Sequence, residues 1–337
     1  MAGMSNTEAA PTELACGDRP ATADPEHPAV EILTPREVPL GGPRAMRVRR
    51  TLPQRSRSLI GAWCFADHYG PTEVTGAMDV APHPHTGLQT VSWLFEGEIE
   101  HRDSLGTHAL VRPGELNLMT GGHGICHSEV STEAAKTLHG VQLWVALPER
   151  HRHTARAFDH YVPSVNRIEG AEIRVFLGSL AGRTSPIPTF TPLLGAEIVL
   201  GPDAHMSLGV DPRFEHGVLA DTGDVVVAGT RVRPAELGYV GTGVRSLTLS
   251  NRGTAPARFL LLGGTPFDEE ILMWWNFVGR THEEIAAFRE AWQAESDQFG
   301  SVTGYTGTPG RLPAPELPAV RIKPRRNPAS GQEAGHG

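Results

Sequence analysis

Glycine and proline interrupt this chain so often that it cannot be built from long helices. Thirty-eight glycines and 28 prolines make up about a fifth of its 337 residues. In a helix interior glycine costs ~1 kcal/mol and proline ~3 kcal/mol relative to alanine. Between the breaks lie short runs of alternating apolar and polar residues, the period of a strand with one buried face. Breaks recur at intervals of about ten residues, which predicts an antiparallel sandwich or barrel.

Two blocks share this texture. In the first, LQTVSWLFEGEIEHRDS reads as two strands around Glu96-Gly97-Glu98, and THALVRPGELNLMTGG as two strands around Pro113-Gly114. HGVQLWVALP (139–148) adds another strand. The second block runs from about Phe190 to Thr265, where Gly223-Asp224-Val225 plays the part of Gly97-Glu98-Ile99. The pattern predicts an all-β protein of two similar barrels in tandem, one over 29–148 and one over 190–300, joined by a linker and connecting strands over 149–189. The 190–300 unit includes a single signalled helix at its C-terminal end. Thr281-His282-Glu283-Glu284 is a capping box, and Ile285, Phe288 and Trp292 share one face. Trp274 and Trp275 are expected in the core.

Thirty basic against 38 acidic residues give a net charge of −8, which disfavours direct nucleic-acid binding through a general positive field. No apolar run is long enough to span a membrane, and the N-terminus lacks the basic and apolar regions of a secretory leader. Three scattered cysteines (Cys16, Cys64, Cys126) do not make a disulfide framework, so a cytoplasmic location is expected. Residues 1–28 and the proline-rich residues 301–337 are expected to be disordered tails. The arginines at 44, 47, 49, 50, 55 and 57 are expected to form a solvated face.

Two motifs repeat a metal-ligand residue type at spacing two: Pro82-His83-Pro84-His85 and Cys126-His127-Ser128-Glu129. On a strand, residues i and i+2 project from the same face. His83 and His85 therefore point together, as do His127 and Glu129. If their strands are neighbours, three imidazoles and a carboxylate converge, a donor set suited to Fe(II), Mn, Co, Ni, Cu or Zn. Pro84 fits an edge strand or barrel mouth better than an inner strand. Cys126 should point away from such a site, His101 and His108 are expected at the surface, and His68 with Asp67 in structural hydrogen bonds. His205 and His216 are the only histidines of the second block, which is expected to bind no metal by this scheme. Leu88, Val91, Trp93, Leu116, Leu118 and Met119 are candidate pocket or core groups.

The stretch from His83 to Glu129 resembles the pirin family of the bicupin superfamily. RSLIGAWCFADHYGP, HGVQLWVALP and FVGRTHEEIAAF are similar to that family's flanking motifs, so the resemblance covers about residues 31–300. It implies two tandem cupin (jelly-roll-like) barrels, with metal, usually iron, in the first only. By motif match the metal ligands are His83, His85, His127 and Glu129. Gln89 stands where many cupins have Glu, a position that is not the usual carboxylate ligand in pirins. The resemblance implies a quercetin 2,3-dioxygenase-type activity on a flavonol and dioxygen, with Glu129 as the candidate catalytic base. The alternative it implies is a metal- and redox-dependent regulatory protein that binds transcription factors or metabolic enzymes.

Overall fold

Strand alternation sorts the apolar residues onto two faces, and the fold has a partner for each. The computed structural model describes residues 28–39, 47–73, 78–325 and 327. The expected N-terminal tail, Arg44 and the end of the C-terminal tail lie outside the described residues, apart from residue 28.

The chain forms two jelly-roll-like modules of like construction, as expected. The first has a seven-stranded sheet with strands in the spatial order Ala157–Tyr161, Leu116–Thr120, Leu88–Glu96, Thr137–Ala146, Trp63–Glu73, Arg47–Leu52, Arg36–Pro39. A four-stranded sheet in the order Asp79–His85, Ile125–Ser131, Ile99–Asp103, His108–Val111 completes it. The second module repeats the scheme with seven strands (Glu31–Leu33, Leu237–Val240, Glu215–Thr222, Ala257–Gly264, Leu193–Leu200, Ala171–Leu177, Asn166–Ile168) and four (His205–Gly209, Ser246–Asn251, Val225–Val227, Thr230–Val232). Its two sheets enclose a core of Ile198, Val218, Val227, Leu247 and their neighbours.

Three boundaries differ from the sequence expectation. The Glu96-Gly97-Glu98 and Pro113-Gly114 turns close no hairpins; each passes the chain from one sheet of the module to the other. Turn chemistry reports a reversal but not which strand pairs with which. The Glu31–Leu33 strand pairs with Leu237–Val240, so the first described strand belongs to the second module and the next ones to the first. The segment expected as a linker and connecting strands is built into the modules: it supplies an edge strand to the first, two strands to the larger sheet of the second, and the short Ser179–Leu180 and Arg183–Thr184 pair.

The two seven-stranded sheets bury their outer faces against each other. Trp63, Val91, Trp93, Leu118 and Leu143 of the first meet Leu193, Leu219, Leu260 and Leu262 of the second. Leu88, Val91, Trp93, Leu116 and Leu118 therefore belong to the intermodule core. Alternation fixes that they share a face, not what that face meets. Polar groups stitch the same seam: Trp93 Nε1 donates to Glu197 Oε2 (2.9 Å), and Trp63 Nε1 to the Leu194 carbonyl (3.0 Å).

The arginine run is not a uniform solvated face. Arg47 is exposed, but Arg50 is buried in a two-bond pair with Asp67 (2.6 and 2.7 Å). Arg57 is buried over the Tyr239 ring, 3.3 Å from its centroid. Local positive charge on a strand is read as solvated only until a facing carboxylate or aromatic ring takes it in.

The helix spans His282–Gln293 and buries Ile285, Phe288 and Trp292. Thr281 Oγ1 accepts from the Glu284 N–H (3.2 Å), while Glu284 reaches past Thr281 to accept from the Arg280 N–H (2.7 Å). Thr281→Ala is expected to lower stability by about 1 kcal/mol, the usual value of such a cap, read as a shift of the urea midpoint with unchanged slope. Trp274 and Trp275 are buried beside this helix, as expected.

The C-terminal residues do not form a disordered tail over their described length. Ala314 and Ile322 are buried against Trp292 and Phe299, the Leu312 N–H donates to the Pro82 carbonyl (2.8 Å), and Ile271 and Arg325 exchange backbone bonds. Proline blocks helix and sheet, yet an extended segment still packs where it finds apolar surface and lone carbonyls. Here it covers the Asp79–His85 strand, the edge of its sheet, whose unpaired backbone groups would otherwise be open.

Candidate metal centre

His83 and His127 are direct cross-strand partners, because Asp79–His85 and Ile125–Ser131 pair antiparallel. The register slips between His127 and Glu129, so that Glu129 stands opposite Val80 and the first strand holds one extra residue. Such a bulge re-aims side chains next to it. The same edge strand holds Pro84 without loss of a ladder bond, as the His-Pro-His spacing predicts. Gly87 ends the strand with a positive φ of 68°; a Cβ there would lie 2.1 Å from the Val278 carbonyl oxygen, so only glycine lets the Phe277–Gly279 strand dock against Thr86.

All four predicted residues are buried, His83 and His85 at 0% and His127 and Glu129 at 1% exposure. Ligand atoms of His83, His85 and His127 lie within 4.8 Å of one another. Glu129 joins His127 and His101 in a second group of the same tightness. His127 is thus common to both groups.

The hydrogen bonds fix which ring nitrogens are free to act as donors of electrons. His83 Nδ1–H donates to the Ala81 carbonyl (2.9 Å), which leaves Nε2 with its lone pair. Asp103 Oδ2 lies 3.2 Å from His101 Nε2, and its other oxygen accepts from the Leu105 and Thr107 N–H groups. Burial acts to raise the Asp103 carboxyl, but these hydrogen bonds outweigh it and hold the group below its ordinary value. The carboxylate can only accept, so His101 Nε2 carries the proton and Nδ1 accepts from His127 Nδ1 (3.3 Å). His127 Nε2 is then bare, 3.1 Å from His85 Nε2.

Burial lowers the His83 imidazole to about 4 and holds His85 and His127 well below the ordinary histidine value; the neighbouring histidines add to this. All three are neutral at pH 7. Burial pushes the Glu129 carboxyl up to about 7, opposed by Ser92, whose hydroxyl lies 3.4 Å from Oε1. Glu129 Oε2 is buried without a hydrogen-bond partner. Neutral imidazoles and a partnerless carboxyl oxygen fit a divalent cation, whose charge would offset the burial that now raises Glu129.

The expectation that His101 lies at the surface is wrong. It is 3% exposed and holds His127 in place. The signal was in the strand: Ile99, His101 and Asp103 have one parity, and Ile99 marks the buried face. His108 is exposed, as expected. Cys126 points to the opposite side, its thiol directed to the Gly300 carbonyl. Asp103→Asn is expected to weaken metal binding ~10–100-fold, the usual effect of removing a ligand's outer partner, measured by competition with a chromophoric chelator.

A second buried group, His68, His139 and Asp221, has similar spacing but different surroundings. Both imidazoles place Nε2 2.6 Å from Asp221 Oδ1, Arg258 Nε donates to Oδ2 (2.7 Å), and Arg49 donates to His68 Nδ1 (2.8 Å). Two guanidinium groups already neutralise and saturate it. It is a bracket between the modules, which agrees with the structural role expected for His68 and Asp67.

Comparisons with known proteins agree with this architecture. The Pirin family model matches residues 45–145, and that of the Pirin C-terminal cupin domain matches residues 195–299. A Pseudomonas aeruginosa protein named "Putative quercetin 2,3-dioxygenase" is 43% identical over 319 residues, which cover 94% of this chain and 98% of that protein. A Caulobacter vibrioides "Pirin-like protein" is 32% identical over 259 residues, covering 73% and 88%. The crystal structure of a quercetin 2,3-dioxygenase from Acinetobacter baumannii superposes with a TM-score of 0.82 at 37% identity, covering 88% of this chain and 97% of that one. With both halves matched by their own family models and the buried histidines placed in the first, the chain belongs to the pirin family.

Proposed function

We propose that this chain is a metal-dependent dioxygenase of the quercetin 2,3-dioxygenase type. Its metal is Fe(II) or another divalent first-row ion held by His83, His85, His127 and Glu129. The observation behind this reading is a pair of buried donor groups that share His127, one with His83 and His85 and one with His101 and Glu129, and the partnerless carboxyl oxygen of Glu129. Relatives bearing that enzyme's name support the substrate class, a flavonol with dioxygen. When bound, the metal supplies the positive charge that favours the ionised 3-hydroxyl of a flavonol.

The chain's own residues do the rest. Glu129, the one carboxylate among the four residues that would hold the metal, takes the hydroxyl proton; its Oε2 has no hydrogen-bond partner. Ser92, 3.0 Å from Gln142 Oε1 and 3.4 Å from Glu129 Oε1, steadies the other oxygen. The Asp103–His101–His127 chain keeps the His127 lone pair turned inward.

One observation favours a second reading. The four groups are at most 1% exposed, so a flavonol enters only if the site opens, whereas a metal that signals by its oxidation state needs no entry. Under that reading the chain is a regulatory protein with a protein partner. Quercetin bleaching in air by protein loaded in turn with Fe(II), Mn, Co, Ni and Cu separates the two. Consumption by the native chain, and its loss in a Glu129→Gln variant of measured metal content, is the expected result. Loaded protein that consumes no flavonol with any metal ends the dioxygenase reading.

A further inference from the structure

The second module has its own opening. A cavity of about 440 Å³ opens there, within the range of small-ligand sites. Leu180, Leu194, Val210 and Phe214 give it apolar walls, and Arg183 and Arg245 stand at its rim. Both arginines are exposed, and neither forms an ion pair with a carboxylate among the described residues. The one carboxylate in the wall, Asp211, is already taken by Arg213 through both oxygens (2.6 and 3.0 Å). A cationic rim on a protein of net charge −8 is a local exception to its surface.

His216 lies behind this wall and is not itself a lining residue. On the Glu215–Thr222 strand, Val218 and Ala220 face the module's interior, so His216 shares that face. It stands opposite Gly263, which in turn stands opposite Leu194 of the cavity wall. A Cβ on Gly263 would lie 3.1 Å from the Glu215 carbonyl oxygen, 3.3 Å from His216 Cδ2 and 3.5 Å from Leu194 Cβ, so the strands close tightly there. The Phe214 and His216 rings are 6.3 Å apart. His216 is 0% exposed, and neither ring nitrogen has a hydrogen-bond partner. A buried imidazole with one N–H and one lone pair, both idle, is a rarity in folded proteins.

We infer that the mouth of the second module is a binding site for a small aromatic carboxylate, whose ring packs on Phe214 and Leu194 and whose charge meets Arg183 and Arg245. The arrangement is independent of the metal centre, which lies in the other module.

The test uses the full chain stripped of metal with a chelator, so that the first centre offers no cation to a carboxylate. Benzoate is titrated by calorimetry, with benzyl alcohol as its uncharged counterpart. The expected result is saturable benzoate binding, weaker by about tenfold or more for benzyl alcohol and for the Arg183→Glu/Arg245→Glu double variant. Because both arginines are exposed, that variant folds as the native chain does, checked by its urea midpoint. Equal benzoate affinity in the double variant, equal binding of benzyl alcohol, or no benzoate binding at ~10 mM would overturn the assignment.

Discussion

Titrated with Fe(II) in the absence of oxygen, the His127→Ala chain is expected to bind metal more weakly than the native protein by a factor beyond the ~10–100-fold that loss of an outer partner costs. His127 is the one residue common to both buried donor groups. Its removal separates His83 and His85 from Glu129 and leaves His101 with no ring to orient. His123 is the control. It lies four residues away in the glycine-rich turn, but its ring is directed to the Thr154 carbonyl (3.2 Å), so His123→Ala should keep native metal content. Metal per chain is read by elemental analysis after dialysis, with circular dichroism to confirm the strands. Native metal content in His127→Ala would sink the assignment of the centre.

Asp221→Ala is expected to cost about 3–5 kcal/mol of stability, the usual penalty for removing one partner from a buried charged network. Asp221 is 4% exposed and supports three groups from two modules: His68 and His139 of the first and Arg258 of the second. Without it a half-buried guanidinium and two imidazole N–H groups lose their acceptor together. The effect depends on pH with a definite sign. Burial acts to raise the Asp221 carboxyl, but the bonds from His139 and His68 and the charge of Arg258 overcome it and hold the group well below its ordinary value. A carboxyl lowered on folding contributes fully above its unfolded value of ~3.9, and that contribution fades as pH falls toward the folded value. The native and Asp221→Ala urea midpoints should therefore differ most near neutrality and converge in acid. A difference that stays constant from neutrality into acid would show that the carboxylate's charge is not the source.

Much of the centre is legible in the residues because it is local. His83 and His85 share a face by strand geometry alone, as do His127 and Glu129, and Pro84 already marks an edge strand. The helix is legible for the same reason: Thr281, Glu284 and the Ile285–Phe288–Trp292 stripe all act within a few residues of one another. His101 and Asp103 show how far this goes. Their parity with Ile99 was present in the sequence, but only the pairing of Ile99–Asp103 beside Ile125–Ser131 gives them something to hold.

The all-β class, the tandem repeat and the two ligand pairs were set by the sequence, since Gly and Pro spacing and the two-residue period act between near neighbours. Which strands pair was decided only by the tertiary structure: the turns at Gly97 and Gly114 became crossings between sheets, and Glu31–Leu33 joined the far module. So were the burial of Val91 and Trp93 between modules, the docking of the proline-rich C-terminal segment, and the Asp221 bracket. Each of these depends on contacts between residues far apart in the chain, whose free energy comes from surfaces that exist only once both partners are folded.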